Sequence, residues 1–123
     1  MLMIETIRND GAIVAIVIYS DYSVEGIKFI SPNDFSLQLG TMSRPAGYKV
    51  LPHIHNPVER HCVGTQEVLF IKSGKIRIDF YSFDKVYLES RELAAGDIIL
   101  LAGAGHGIEV LELTAVENGM VDL

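Results

Sequence analysis

The hydrophobic and polar positions of this chain follow a strand pattern over most of its length. Residues 12–19, AIVAIVIY, are apolar at every position and lie between Asp10-Gly11 and Ser20-Asp21. A β-branched run without polar alternation predicts a strand covered on both faces. A lone sandwich or barrel gives each strand one dry face, so the second covered face points to a partner subunit. A homodimer is therefore expected, and the alternative is cover by the chain's own ends, residues 1–7 and 116–123. Residues 35–42 alternate, with Phe35, Leu37 and Leu39 set against Ser36, Gln38 and Gly40. Alternation returns in KIRIDFY at 75–81, in VYLESREL at 86–93 and in IEVLEL at 108–113. Short apolar runs at 27–30, 67–72 and 98–101 add further strands, and 114–116 reads as a last one. Turn signals separate them: Ser31-Pro32-Asn33-Asp34, Arg44-Pro45-Ala46-Gly47, Ser73-Gly74, Gly96-Asp97 and the glycines between 103 and 107. No helical period, repeat or linker interrupts the series. The prediction is one all-β domain, a sandwich or jelly-roll barrel.

The candidate chemistry is gathered between Gly47 and Gly74. His53 and His55 stand two apart in a segment that reads as a strand, where such residues share a face. Glu67 opens the run that turns at Gly74, and His106 follows Gly103-Ala104-Gly105 far downstream. Two imidazoles, a carboxylate and a third imidazole on neighbouring strands describe an open metal site with positions left for water or substrate. Fe(II), Mn(II), Zn(II) and Ni(II) all accept these donors. Between His55 and Glu67 lie eleven residues, NPVERHCVGTQ, read as a loop at the mouth of the site. His61 is a candidate general base or substrate contact there, and Cys62 reads as a small buried thiol. Tyr48 and Glu59 complete the candidates for an acid or base.

These residues resemble the motifs of the cupins. Gly47, five residues, His53-Ile54-His55, then Glu67, six residues and Gly74 follow the first cupin motif. Gly96-Asp97, the apolar run 98–101 and His106 are similar to the second, without its usual proline. The resemblance spans about residues 35–112 and implies a double-stranded β-helix, or jelly-roll barrel, with a divalent transition metal on His53, His55, Glu67 and His106. Glu59, three residues beyond His55, stands at the spacing more usual for the family's carboxylate, while Glu67 has the better context before Gly74. Cupins include isomerases, epimerases, dioxygenases and sensing modules, so the resemblance leaves the function open between a small metalloenzyme and a non-catalytic binding module. The segments TQEVLFIKSGKIRIDFY and GDIILLAGAGHG also resemble small cupins of carbohydrate and sugar-nucleotide pathways, which directs the ligand expectation to a small polar metabolite.

Composition narrows the partners. At 123 residues with 49% hydrophobic content the chain is long enough for one core. The net charge of −6 is a poor match for nucleic acid or an anionic membrane surface. A single cysteine forms no internal disulfide, and the N-terminal stretch lacks a basic region before its apolar run. A cytoplasmic protein is expected.

Overall fold

The computed structural model describes residues 3–57 and 64–120. Ten strands are joined by turns and irregular segments, with no helix among the described residues. They are β1 (Ile4–Asn9), β2 (Ala12–Ile18), β3 (Gly26–Phe29), β4 (Gly40–Ser43), β5 (Glu67–Ser73), β6 (Lys75–Tyr81), β7 (Tyr87–Ala94), β8 (Ile98–Leu101), β9 (Gly105–Val110) and β10 (Ala115–Met120). The all-β expectation is met. The strands form a five-stranded sheet in the order β1-β2-β8-β5-β10, a three-stranded sheet β7-β6-β9, and a separate ribbon β3-β4.

The two larger sheets share one core. β6 shows why: its burial alternates at every position, with Ile76, Ile78 and Phe80 inside and Arg77 and Asp79 on the other face. Those three, with Leu93 of β7, join Ile7, Val17, Leu69, Ile71, Ile99 and Leu101 of the five-stranded sheet in a single apolar cluster. Arg77 and Asp79 occupy the side of the strand away from the core. Arg77 grips Asp79 with two hydrogen bonds, at 2.9 and 3.2 Å, and Ser90 donates to the same carboxylate. These bonds hold the Asp79 carboxyl below its usual range, with Arg77 the larger cause.

β2 is the strand that the sequence marked most strongly, and the structure alters the reason. Val14 to Ile18 are all buried within one chain, at 0–4% exposure. β2 sits between β1 and β8, so both its hydrogen-bonding edges are occupied as well. The run does not need a second subunit to cover it. Of the chain's ends, the described parts lie within the sheet, β1 beside β2 and β10 beside β5. At Val14 the pairing skips a residue, Ile7 facing Ala15 and Arg8 facing Ile13. On the other edge of β2 the Val14 carbonyl accepts Ala102 N at 2.8 Å, which pins the chain as it leaves β8.

Two polar groups tie the sheets together. Asp97 is buried, and its carboxylate accepts Ser20 N at 2.8 Å and Ala94 N at 2.7 Å. Glu5 of β1 reaches across to β7, accepting Arg91 Nε at 2.8 Å, while Tyr19 Oη donates to it at 2.7 Å. Arg91 holds the Glu5 carboxyl below its usual value against the opposing effect of burial. Burial, then the bond to Glu5, pushes the Tyr19 hydroxyl up to about 12. The sign follows from linkage: a group whose pKa is raised on folding contributes stability below its unfolded pKa, about 10 for tyrosine, and loses it as pH rises through the folded value. The stability difference between the native chain and Tyr19→Phe should therefore be constant from pH 7 to 9 and shrink between pH 10 and 12. Urea unfolding of both proteins across that range checks this; a parallel pair of curves would mean that the hydroxyl is not coupled to folding.

Candidate functional site

Glu67 is the first residue of β5 and His106 the second of β9, on facing sheets. Register explains why they meet. Glu67 pairs with Leu101 and His106 with Phe80, both members of the core cluster, so the carboxylate and the imidazole point toward the interior between the sheets. His106 Nε2 lies 3.9 Å from Glu67 Oε1. The other carboxylate oxygen, Oε2, accepts Asn118 Nδ2 of β10 at 3.1 Å, which fixes the plane of the carboxylate. The pair borders a cavity of about 230 Å3, lined also by Thr65, Leu101, Gly103 and Ala104. Ala104 holds a left-handed φ of 62°, a conformation that turns the chain sharply into β9. Gly103 and Ala104 also wall a larger neighbouring cavity, of about 330 Å3, whose polar side chains are Asn9 and Asp10 and which has no imidazole. Glu67 and His106 border the smaller one.

His53 and His55 are placed differently from the expectation. Residues 48–57 form no strand, and both imidazoles are exposed. Pro52 and Pro57 each remove a backbone donor from this segment, which disfavours a ladder built from its own residues. The two rings still face one another, edge to face, with centroids 5.0 Å apart, and His53 Nδ1 lies 2.8 Å from the Leu51 carbonyl oxygen. The four predicted donors are thus present as two pairs, Glu67 with His106 and His53 with His55. Among the described residues no three His, Cys, Asp or Glu side chains converge. Tyr48 is part of the same exposed arm and lies under the Arg44 guanidinium, 4.4 Å from its ring centroid, rather than in the cavity. His61, Glu59 and Cys62 lie outside the described residues.

Other parts of the chain also depart from their predicted roles. Residues 35–39 do not form a strand; the ladder begins at Gly40. Their alternation is used in a folded loop instead, in which Gln66 Oε1 accepts Leu37 N at 3.1 Å and Gln38 Nε2 donates to the carbonyls of Pro32 and Phe35. The turn expected before His106 is present at Gly103-Ala104, and it ends at once, so that His106 itself lies in β9, which begins at Gly105. Asn118 was not among the predicted site residues. An isolated asparagine near the end of a chain has no local signal, and only the pairing of β10 with β5 brings it to Glu67. Among the described residues no helix is long and apolar enough to cross a membrane. Comparison with family models, curated proteins and solved structures gives no match.

Proposed function

We propose that this chain is a small cupin-like jelly roll that binds a divalent transition metal at Glu67 and His106 and takes a small polar metabolite as ligand. The observation that carries the reading is the approach of a carboxylate and an imidazole from facing sheets, 3.9 Å apart at the edge of a cavity. Donors about 2.1 Å from one ion stand at most about 4.2 Å apart, so this pair fits a common metal. An anionic carboxylate and a neutral imidazole suit Fe, Mn, Zn or Ni. When bound, the metal supplies a Lewis acid for an oxygen donor such as a carboxylate or a pair of sugar hydroxyls. Asn118 fixes one oxygen of Glu67 and leaves the other facing His106. Leu101 and Ala104 give the cavity apolar walls beside the pair. His53 and His55 are the remaining donors of the resemblance, and in one chain they stand with each other on the exposed arm.

A second reading, a non-catalytic module that senses or carries the metabolite, is favoured by the same cavity. Its described lining has two titratable side chains, Glu67 and His106, and both serve as metal donors here. No separate acid or base remains among the described lining residues for proton transfer to the ligand. Elemental analysis after growth in metal-supplemented medium should give about one transition metal per chain. Glu67→Gln and His106→Ala should each lower that content at least tenfold with unchanged circular dichroism, and His53→Ala with His55→Ala should do the same. A folded protein that carries no metal, or one whose content ignores Glu67→Gln and His106→Ala, overturns the reading. Saturable sugar binding without turnover selects the sensing module over the enzyme.

A further inference from the structure

We infer that the larger cavity, of about 330 Å3, is a binding site for an uncharged hydroxylated ring, a pyranose or a cyclitol. It lies where three connections between strands meet: the Asp10-Gly11 turn after β1, the turn after β6 that carries Phe83, and Ala102 to Ala104 after β8. Loops held by a rigid frame are where recognition concentrates. The volume falls within the range of about 300–1,000 Å3 usual for small-molecule pockets, and the lining is likewise apolar with a few polar groups. The floor is fixed, since Val14 is buried and its carbonyl accepts both Ala102 N, at 2.8 Å, and Gly103 N, at 3.4 Å.

Phe83 is the lining residue that turn chemistry does not explain. Its turn is closed by Ser82, whose carbonyl accepts Lys85 N at 2.9 Å and whose hydroxyl accepts Val86 N at 3.2 Å. Lys85 takes the left-handed φ, of 64°. None of these roles needs an aromatic residue at 83, and Phe83 is 81% exposed. Its ring reaches the β8–β9 connection, where a Cβ on Gly103 would lie 3.9 Å from Phe83 Cζ. The ring thus stands at the cavity edge with most of its surface free for a ligand. Asp10 and Gly11 have φ values of 50° and 81°, as a two-residue hairpin turn requires. That accounts for the Asp10 backbone and leaves its carboxylate unused. The neighbouring Arg8 donates to the Gly11 carbonyl, at 3.3 Å, and not to Asp10. Among the described residues neither the Asn9 amide nor the Asp10 carboxylate has a side-chain hydrogen bond or an ion pair.

These groups select the ligand. The described lining holds no Lys, Arg or His, and Asp10 repels anions, so a phosphate or carboxylate ligand is disfavoured. An ammonium would suit Asp10 and the ring of Phe83, but it has donors only and leaves the Asn9 amide N–H without an acceptor. Hydroxyls both donate and accept, so a row of them satisfies the Asn9 amide and the Asp10 carboxylate together. The C–H face of a saturated ring then meets the electron-rich face of Phe83 and the apolar side chains of Ile13 and Ala104. Gly103 and Ala104 also wall the cavity at Glu67 and His106, which sets this ring beside the pair. As a refinement of the ligand class the inference rests on the proposed function, while the recognition itself uses no metal donor.

NMR titration of the isotope-labelled chain with methyl β-glucoside, methyl β-galactoside, methyl α-mannoside and myo-inositol tests this. At least one of these should shift the amide signals of Gly11, Phe83 and Gly103 saturably at millimolar concentrations. Phe83→Ala, an exposed position, should weaken that binding at least tenfold, and Phe83→Tyr, which keeps the ring, should restore it. Asp10→Asn, which the left-handed turn accepts, should weaken it at least threefold. Glu67→Gln should strip the metal and leave the titration unchanged, so a failure of the metal reading is distinguished from a failure of this one. No saturable shift with any of these compounds overturns the proposal. So do shifts confined to Glu67 and His106, binding that ignores Phe83→Ala, binding lost in Glu67→Gln, or saturable binding of benzylammonium in place of the hydroxylated rings.

Discussion

Val17→Asp should leave no folded protein to purify. Val17 is fully buried, belongs to the shared core cluster, and sits in a strand with neighbours on both edges. An aspartate there lies among aliphatic side chains and directly opposite the Glu5 carboxylate, which already engages Arg91. An unpaired buried charge costs about 3–5 kcal/mol even after relaxation, against a total stability of about 5–15 kcal/mol for a domain of this kind. The apolar pattern alone suggests a milder result, a lost dimer with an intact fold, because one face of the strand was expected to meet a partner. Burial of Val14 to Ile18 within one chain reverses that order. Ile16→Asp should behave in the same way at 3% exposure, and Val17→Ala, which removes volume without charge, should fold with a loss of about 2 kcal/mol. Soluble yield and chemical unfolding of the three variants check the ranking. A well-folded Val17→Asp protein would contradict the assignment of β2 to the interior.

The second large effect is at Gly74, where β5 turns into β6. Its φ is +87°, and a Cβ there would collide with the Leu113 carbonyl oxygen and with Thr114 Oγ1. The collision is with fixed groups, because Thr114 Oγ1 accepts Lys75 N at 3.0 Å and donates to the Glu112 carbonyl at 2.6 Å. Gly74→Ala should therefore cost left-handed strain of about 1–2 kcal/mol and also the displacement of the segment that leads into β10. A total of about 3 kcal/mol or more is expected. Gly11 is the control: its φ is +81°, but an added Cβ meets nothing within 4 Å, so Gly11→Ala should show the strain alone. Thermal unfolding of both variants separates the two contributions. Equal shifts would mean that the Leu113–Thr114 segment yields at no cost.

What could be seen in the chain beforehand follows from where each pattern comes from. β6 was fully legible, since its alternation and its burial have the same cause, one wet face and one dry one. β8 coincides with the apolar run 98–101, and the turn at Ser73-Gly74 separates β5 from β6 as expected. β1 carries no strand signal of its own. Its inward position Glu5 is charged, and only Arg91 and Tyr19, 86 and 14 residues away, make that burial favourable. The alternation of 35–39 was real but served a loop held by glutamine side chains. In the site, the motif points to Glu67 and His106 and they do meet, yet their closeness depends on the register of strands in two different sheets. His53 and His55 show the limit of local spacing. Two residues apart share a face only where a neighbouring strand holds the backbone extended, and spacing says nothing about the neighbour.

The order of strands in the five-stranded sheet has a consequence for how the chain is made. β2 emerges early, and its first partner, β1, comes just before it. Its other edge must wait: Ile18 pairs with Ile98 and Ala15 with Leu101. The hairpin of β6 and β7, closed across a short turn at Ser82 to Val86, is completed only just before that. On a ribosome the most apolar segment of the protein is therefore left with one edge open while most of the chain is synthesised. Synthesis rate and chaperone supply, rather than final stability, then govern how much of the nascent protein reaches its native pairing.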